Sequence, residues 1–216
     1  MIAWWATGRM RSPETLAAGA LGTDEQATLL RVARASIEHV LHTGRPLDVE
    51  VEGFPPGLRE PRASFVTLRS GDGELRGCIG ELEPRRALVA SVADRARAAA
   101  FGDPRFPPLG ADELDALAIH VSVLLPLAPI DALSEADLLA QLRPGIDGLL
   151  IDDGLRRATF LPAVWNALPD PRAFLHALRR KAGMPDAVWP TTLRAWRYEV
   201  EEIGPAASEP DRITAR

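Results

Sequence analysis

The chain has 216 residues, a formal net charge of −5, one Cys and an apolar fraction of 46%, which is enough for a sizeable hydrophobic core. This length predicts one large domain or two small ones. A single Cys excludes an internal disulfide framework and a cysteine-built zinc site, and we expect no metal or cofactor. The acidic charge argues against general nucleic-acid binding, and no apolar run approaches the roughly 20 residues of a membrane span. We therefore expect a soluble, cytoplasmic protein.

Three regions are predicted along the chain. Residues 1–21 form an N-terminal arm, whose apolar start precedes Arg9 and Arg11, the reverse of the order in a signal peptide. Residues 22–203 form the folded domain. Residues 204–216 are rich in Pro, Ser, Ala and charge, which predicts a disordered tail.

Helical periodicity, Pro and Gly stops and capping residues predict five helices in the domain. Thr23 and Gln26 predict a capping box for the first of them. The helices are expected at Thr23 to Gly44, Pro84–Phe101, Ala111–Ala116, Ser134–Leu142 and Pro171–Ala182. Six strands are expected at Ser64–Arg69, Glu74–Ile79, Leu117–Leu125, Gly148–Ile151, Leu155–Leu161 and Leu193–Ile203. Helices and hairpins interleave, so we predict an α+β fold with a mainly antiparallel sheet.

The segment Leu75–Gly80, Leu-Arg-Gly-Cys-Ile-Gly, carries the most chemical information. Side chains alternate in an extended segment, so its members divide between two faces. One face holds Arg76, Cys78 and Gly80, and the other holds Leu75, Gly77 and Ile79. Glycine weakens a strand, so two glycines in six residues indicate a close approach to the backbone.

A thiol, a cation and open backbone amides are the parts of a nucleophilic site with an anion hole. Arg76 is expected to lie near Cys78 and to favour its thiolate by lowering the thiol pKa. The alternative is structural, because a lone Cys is often a small buried core residue and glycines also mark bulges or tight sheet packing.

Three further positions are candidates. Asp103, Arg105 and Phe106 lie in a loop with three prolines, where they could form a binding site or only stiffen the loop. Lys181 is the only Lys in an Arg-rich chain, which suggests a position where Arg does not substitute. His120, inside an apolar strand, is interpreted as an interior or edge residue and not as a ligand.

The segment Leu75–Gly80 resembles the hallmark hexapeptide of the AMMECR family, the AMME-syndrome chromosomal-region domain, also called AmmeMemoRadiSam system protein A. Further blocks extend the resemblance across roughly residues 22–203. They are Phe65–Leu68, Asp103–Leu109, Glu113–Leu114, Val121–Leu124, Gly148–Leu149, Arg157–Val164, Lys181–Gly183 and Arg197–Glu201. Any one block is weak, and their combination is specific.

The resemblance implies two closely packed subdomains with mainly antiparallel sheets flanked by helices. It also implies a shared pathway with a Memo-like protein and a radical SAM protein. We expect an enzyme or enzyme subunit with a cleft centred on Cys78 and Arg76. The expected binding residues are Leu75, Gly77, Ile79, Gly80, Asp103, Arg105, Phe106 and Lys181.

Two alternatives stay open. The first is a protein- or ligand-binding module without chemistry, in which Cys78 is packing. The second is nucleic-acid binding through Arg85, Arg86, Arg95 and Arg97, which a single helix from Pro84 would carry. A solvated helix face explains these arginines more simply, so we regard nucleic acid as an unlikely partner.

Overall fold

The computed structural model describes residues 20–184, 189–190 and 192–205. Most of the predicted arm and tail lies outside these residues. Within them the helices are α1 Thr23–Thr43, α2 Pro56–Arg59, α3 Leu88–Phe101, α4 Glu135–Gln141 and α5 Pro171–Ala182. Short 3₁₀ helices cover Val51–Gly53, Ala111–Ala116 and Pro162–Asn166. The strands are β1 Ser64–Arg69, β2 Leu75–Gly80, β3 Ala118–Leu124, β4 Ala128–Ile130, β5 Gly148–Asp152, β6 Arg157–Phe160, β7 Arg194–Tyr198 and β8 Val200–Ile203.

The strands form two antiparallel sheets of four strands each. The first has the order β2-β1-β3-β8 and the second the order β4-β7-β5-β6. Every paired strand in both sheets runs antiparallel to its neighbour. The predicted α+β class is therefore confirmed.

Helices α1 and α3 cover one face of the first sheet. In β1, Val66 and Leu68 are fully buried against α1 and α3, while the alternating Phe65 and Thr67 are only partly buried. This alternation is the pattern of a strand with one face in the core. The apolar stripes of the two helices complete this core with Leu29, Ala33 and Ile37 from α1 and Leu88, Val92 and Ala96 from α3. Among the described residues no helix packs on the other face of the sheet, which we call the open face.

The second sheet has its own core under α4 and α5. Leu149 and Ile151 of β5 point into it and meet Phe174 of α5, all with no exposed area. The ring of Trp165 stacks on Phe174 at a centroid distance of 3.8 Å. Helix α5 begins at the cap Asp170, whose carboxylate accepts the Ala173 N–H at 2.8 Å, and it ends at Gly183 with φ of 73°.

A third apolar cluster joins the two sheets. Leu124 of β3 and Leu82 meet Leu150 of β5 and Tyr198 of β7, and Phe65 packs on the cluster from the open face of the first sheet. The Tyr198 hydroxyl is hydrogen bonded to Thr159 at 2.6 Å, and burial raises the Tyr198 pKa to about 12. The second sheet thus covers one end of the open face through this cluster.

The predicted final strand, Leu193–Ile203, is two strands in different sheets. Strand β7 lies inside the second sheet and β8 forms an edge of the first, with the break at Glu199. The carbonyl of Glu199 accepts the N–H of Leu125 at 2.9 Å, where the chain passes between the sheets. The sequence of Leu193–Ile203 has an extended pattern without a break. It therefore does not indicate that the two halves pair with different sheets.

Two helix starts also differ from the predictions. Helix α3 begins at Leu88 and not at Pro84, because Ala87 is still extended in a β-bridge with Pro61 and the Leu88 N–H donates to Glu60 O at 2.9 Å. For α1 the cap is Gly22 and not Thr23. The Glu25 carboxylate accepts the Gly22 N–H at 3.1 Å.

The close approach of α3 to β2 gives a stability prediction. A Cβ added at Gly77 would lie 2.2 Å from the carbonyl oxygen of Ala99, which is helix backbone that cannot rotate away. We expect Gly77→Ala to lower the free energy of unfolding by about 2 kcal/mol or more, as overpacking does. Gly53→Ala is the matched control, since a Cβ there meets nothing within 4 Å. Urea denaturation of both variants tests this, and equal stability of the two would contradict it.

Candidate functional site

The predicted hexapeptide is β2, the edge strand of the first sheet. The N–H of Glu81 donates to Ser64 O at 3.0 Å, so by the alternation of antiparallel pairing Gly77 and Ile79 also bond to β1. The N–H and C=O groups of Cys78 and Gly80 therefore point outward from the edge. In these non-hydrogen-bonded positions the side chains of facing strands approach most closely.

The Asp103–Arg105 pair occupies this outward edge at Cys78. The Cys78 N–H donates to Asp103 Oδ2 at 2.9 Å, and Arg105 Nη2 donates to the Cys78 carbonyl at 3.3 Å. Arg105 also donates to both Asp103 oxygens, from Nε at 2.9 Å and from Nη2 at 2.6 Å. The pair thus supplies the acceptor and the donor that a neighbouring strand would provide, and it fixes the loop to the sheet edge.

The Asp103 carboxylate is nearly inaccessible, with 2% of its side chain exposed. Hydrogen bonds from Arg105 lower its pKa from 3.8 to about 2, against the effect of burial, and the N–H of Cys78 adds to the lowering. The carboxylate is therefore ionised at neutral pH and holds Cys78 and Arg105 at once.

Arg76 binds the far end of the same loop. Its Nε and Nη2 donate to the two Glu113 oxygens at 2.6 and 2.9 Å, and its Nη1 donates to Pro107 O at 3.0 Å. Glu113 in turn accepts the Gly110 N–H at 2.8 Å. The Arg76 charge is thus compensated by Glu113, and the hydrogen bonds of Arg76 in the described residues go to Glu113 and the loop and not to Cys78.

The two glycines of β2 have packing partners. Gly77 lies against the backbone of Ala99, and a Cβ at Gly80 would lie 2.2 Å from the ring of Phe65 on β1. Since Asp103 already accepts the Cys78 N–H, the open amides expected near the thiol are occupied at that position. The two glycines therefore allow close packing. This agrees with the alternative interpretation from the sequence, in which they mark tight sheet packing.

Cys78 has its side chain on the open face, and the residue is partly exposed. Thr67 faces it across β1, and the Thr67 hydroxyl donates to Cys78 Sγ at 3.3 Å. On the other side, Thr67 is paired with His120 of β3. Cys78, Thr67 and His120 therefore form one row across three strands, which we call the Cys78 row. Burial, and then the nearby charge of Arg69, lower the His120 pKa, so this imidazole is neutral at neutral pH.

A second polar pair lies in the next row of the same face. Ser122 of β3 donates to Glu202 Oε2 of β8 at 2.8 Å. Ser122 is two residues from His120, a separation of about 7 Å along a strand. This face thus carries a thiol, two hydroxyls, an imidazole and a carboxylate in adjacent rows, and Ser122 among them is a buried residue.

Some of the remaining predicted site residues lie near the hexapeptide and its loop, and others lie elsewhere in the fold. Phe106 stays with the loop, under the guanidinium of Arg105 at 5.4 Å from the ring centroid. Ile79 turns to the core of the first sheet, and Leu75 is exposed at the start of β2. Lys181 belongs to the second sheet, where its Nζ donates to Thr159 O at 3.0 Å and lies 5.1 Å from the centroid of the Phe160 ring. The structure therefore groups the loop with the hexapeptide and separates Lys181 from it.

Sequence reasoning missed Thr67 and Glu113. The register of the first hairpin could have suggested Thr67, but a bulge between Leu68 and Arg69 shifts the pairing and hides it. Glu113 makes its main contact 37 residues away, with Arg76, and no local pattern indicates such a partner. His120 was singled out, but its place opposite Thr67 depends on the pairing of β1 with β3.

The four arginines considered for nucleic-acid binding are each paired with a carboxylate. Arg85 binds Glu83 at 2.6 Å, and Asp94 accepts from Arg86, Arg95 and Arg97. Since α3 begins at Leu88, Arg85 and Arg86 lie before the helix and do not share a helical face with the other two. In the described part of the chain, no three His, Cys, Asp or Glu side chains are grouped so that they could hold a metal ion.

The comparisons with known proteins agree with this fold. The AMMECR1 family model matches residues 30–203, and the chain belongs to the AMMECR1 family. A protein from Methanothermobacter thermautotrophicus is 38% identical over 187 residues, with 84% of this chain and 94% of the relative covered. A protein from Thermotoga maritima is 36% identical, with 76% and 90% covered.

A solved structure supports the same architecture. The crystal structure of uncharacterized protein PH0010 from Pyrococcus horikoshii matches with a TM-score of 0.71 and 33% identity, covering 82% of this chain and 90% of that one. None of the helices in the described residues combines the length and the apolar character needed to cross a bilayer.

The Asp103 contacts predict a pH dependence of stability. The folded-state pKa of Asp103 is about 2, below the ordinary value of 3.8, so its stabilising effect is complete above pH 4 and is lost as the pH falls towards 2. We expect Asp103→Asn to cost about 2 kcal/mol at pH 7, from a difference of nearly two pKa units. The difference from the wild type should shrink between pH 4 and 2 in urea denaturation.

Asp115→Asn, at an exposed acidic position, is the control for this measurement. Its difference from the wild type should stay small throughout the range. A constant Asp103→Asn difference from pH 7 to pH 2 would contradict the Asp103–Arg105 account.

Proposed function

We propose that the protein is an enzyme or enzyme subunit whose reactive group is the Cys78 thiol. The observation that carries the proposal is the Cys78 row, in which the Sγ of the partly exposed residue Cys78 accepts the Thr67 hydroxyl in line with a neutral His120. A hydrogen bond to sulfur stabilises the thiolate, which is the nucleophilic form. The open face of the first sheet, beside the cluster that joins the sheets, is the cleft in which a substrate binds.

The chemistry that suits this row is acyl transfer from a thioester or an amide. The thiol loses its proton, Sγ adds to the carbonyl carbon, and the thiol or amine leaving group departs with a proton. Water then hydrolyses the acyl-enzyme. His120 lies two strands from Cys78, about 10 Å across the sheet, so it acts on a substrate or water bound between them.

The resemblance stated from the sequence supplies the proposed partners. A Memo-like protein and a radical SAM protein would supply or consume the substrate of Cys78 in a shared pathway. A cytoplasmic location suits the proposal, because a lone reactive thiol stays reduced there. The exposed Arg105 and the Phe106 beside it are the positions through which we expect a partner to approach the cleft.

The second candidate function is a binding module without chemistry. It is favoured by the contacts that give the hexapeptide a purely structural explanation, namely Asp103 on the Cys78 N–H and Glu113 on Arg76. In this case Cys78→Ala would preserve partner binding. Co-purification of a Memo-like or radical SAM protein would be lost on Phe106→Ala while the Cys78 reactivity stayed unchanged.

Alkylation of Cys78 separates the two functions, and the single Cys leaves no ambiguity of assignment. We expect iodoacetamide at pH 7 to label the native chain faster than the urea-unfolded chain, because the Thr67 hydroxyl stabilises the thiolate. Thr67→Val should slow native labelling, because Sγ then loses the hydroxyl that donates to it.

Thr28→Val, which removes a hydroxyl on α1 far along the chain from the site, is the matched control and should not change the rate. Labelling that appears only after unfolding would exclude the nucleophile. It would leave the binding module as the supported function.

A further inference from the structure

A basic face of α5 lies outside the Cys78 site. Arg172, His176 and Arg180 are spaced four residues apart, so they lie on one side of the helix at intervals of about 6 Å. The opposite side, with Phe174 and Leu178, is buried in the core of the second sheet. Along the basic side runs a groove of about 360 Å³, whose lining is Leu168, Asp170, Arg172, Ala173, His176 and Arg180.

The carboxylates at this groove are held by internal contacts. Asp170 caps α5 by accepting the Ala173 N–H at 2.8 Å. Glu135 of α4 binds Arg172 Nε at 3.2 Å and His176 Nε2 at 3.3 Å. Neither acidic group compensates Arg180.

Two guanidinium groups therefore remain available to a ligand. The Arg172 side chain is 70% exposed, and its Nε lies 3.2 Å from Glu135 Oε1. The Arg180 side chain is exposed and has no hydrogen bond or ion pair within the described ranges. A surface of this kind, in a chain with a net charge of −5, attracts a partner of opposite charge.

We propose that this groove binds an extended acidic segment of a partner protein. Carboxylates on alternate residues of an extended chain lie on one side at intervals of about 6.7 Å, close to the spacing of the helix positions. A compact dianion such as phosphate fits less well, because Arg172 and Arg180 are eight residues apart on α5, about 12 Å along the helix, and Glu135 already contacts Arg172. The proposal is independent of the Cys78 chemistry.

Fluorescence anisotropy with a fluorescein-labelled peptide of alternating Glu and Ala tests the proposal. We expect saturable binding that weakens with added salt, and an equivalent Gln–Ala peptide that does not bind. Arg172→Glu with Arg180→Glu should weaken binding about tenfold or more, since two screened ion pairs become repulsive. Arg45→Glu, an exposed arginine elsewhere, should leave it unchanged.

Arg180→Gln removes the charge that has no partner in the described residues and leaves the Glu135 contacts in place, so a change in its affinity cannot come from misfolding. Equal affinity of the wild type and Arg180→Gln, or equal binding of the Gln–Ala peptide, would overturn the proposal. Displacement of the peptide by inorganic phosphate at constant ionic strength would assign the groove to phosphate instead. Unchanged Cys78 labelling in these variants would show that the outcome does not depend on the proposed function.

Discussion

The hydrogen bond from the Cys78 N–H to the buried Asp103 carboxylate is the contact on which the site depends. An edge strand exposes half of its backbone polar groups, and a glycine-rich edge strand holds its shape poorly. Asp103 and Arg105 satisfy both outward groups of Cys78, and Arg76 with Glu113 holds the far end of the loop. The loop thus completes the first sheet as an additional strand would.

This arrangement separates the two functions of the hexapeptide. The backbone of Cys78 and the glycines Gly77 and Gly80 are used for structure, through the loop, helix α3 and Phe65. The Cys78 side chain is left on the open face, where it contacts Thr67. The same strand therefore carries both a rigid edge and a partly exposed cysteine.

The local parts of the fold could be predicted from the sequence, because they follow from periodicity and end signals. The β1–β2 hairpin, the Ala111–Ala116 helix and α5 lie where the patterns placed them. The division of the last strand at Glu199 could not be predicted, since an extended segment does not indicate its neighbours.

The sequence indicated which segments make up the candidate site, but it did not indicate which side chains contact each other there. The hexapeptide and its loop were identified together, and the structure joins them through Asp103. The partner of Arg76 could not be predicted, because Glu113 lies 37 positions away and only the tertiary fold brings it near. Long-range pairings of this kind decide which charges remain available for chemistry.

Native-state hydrogen exchange of the β2 amides by NMR tests the central contact most directly. The outward N–H of Cys78 should be protected to a degree similar to Gly77 and Ile79, which bond to β1, while the outward N–H of Gly80 should exchange faster. Exchange of the Cys78 amide as fast as that of Gly80 would contradict the account, because Asp103 would then not hold the strand.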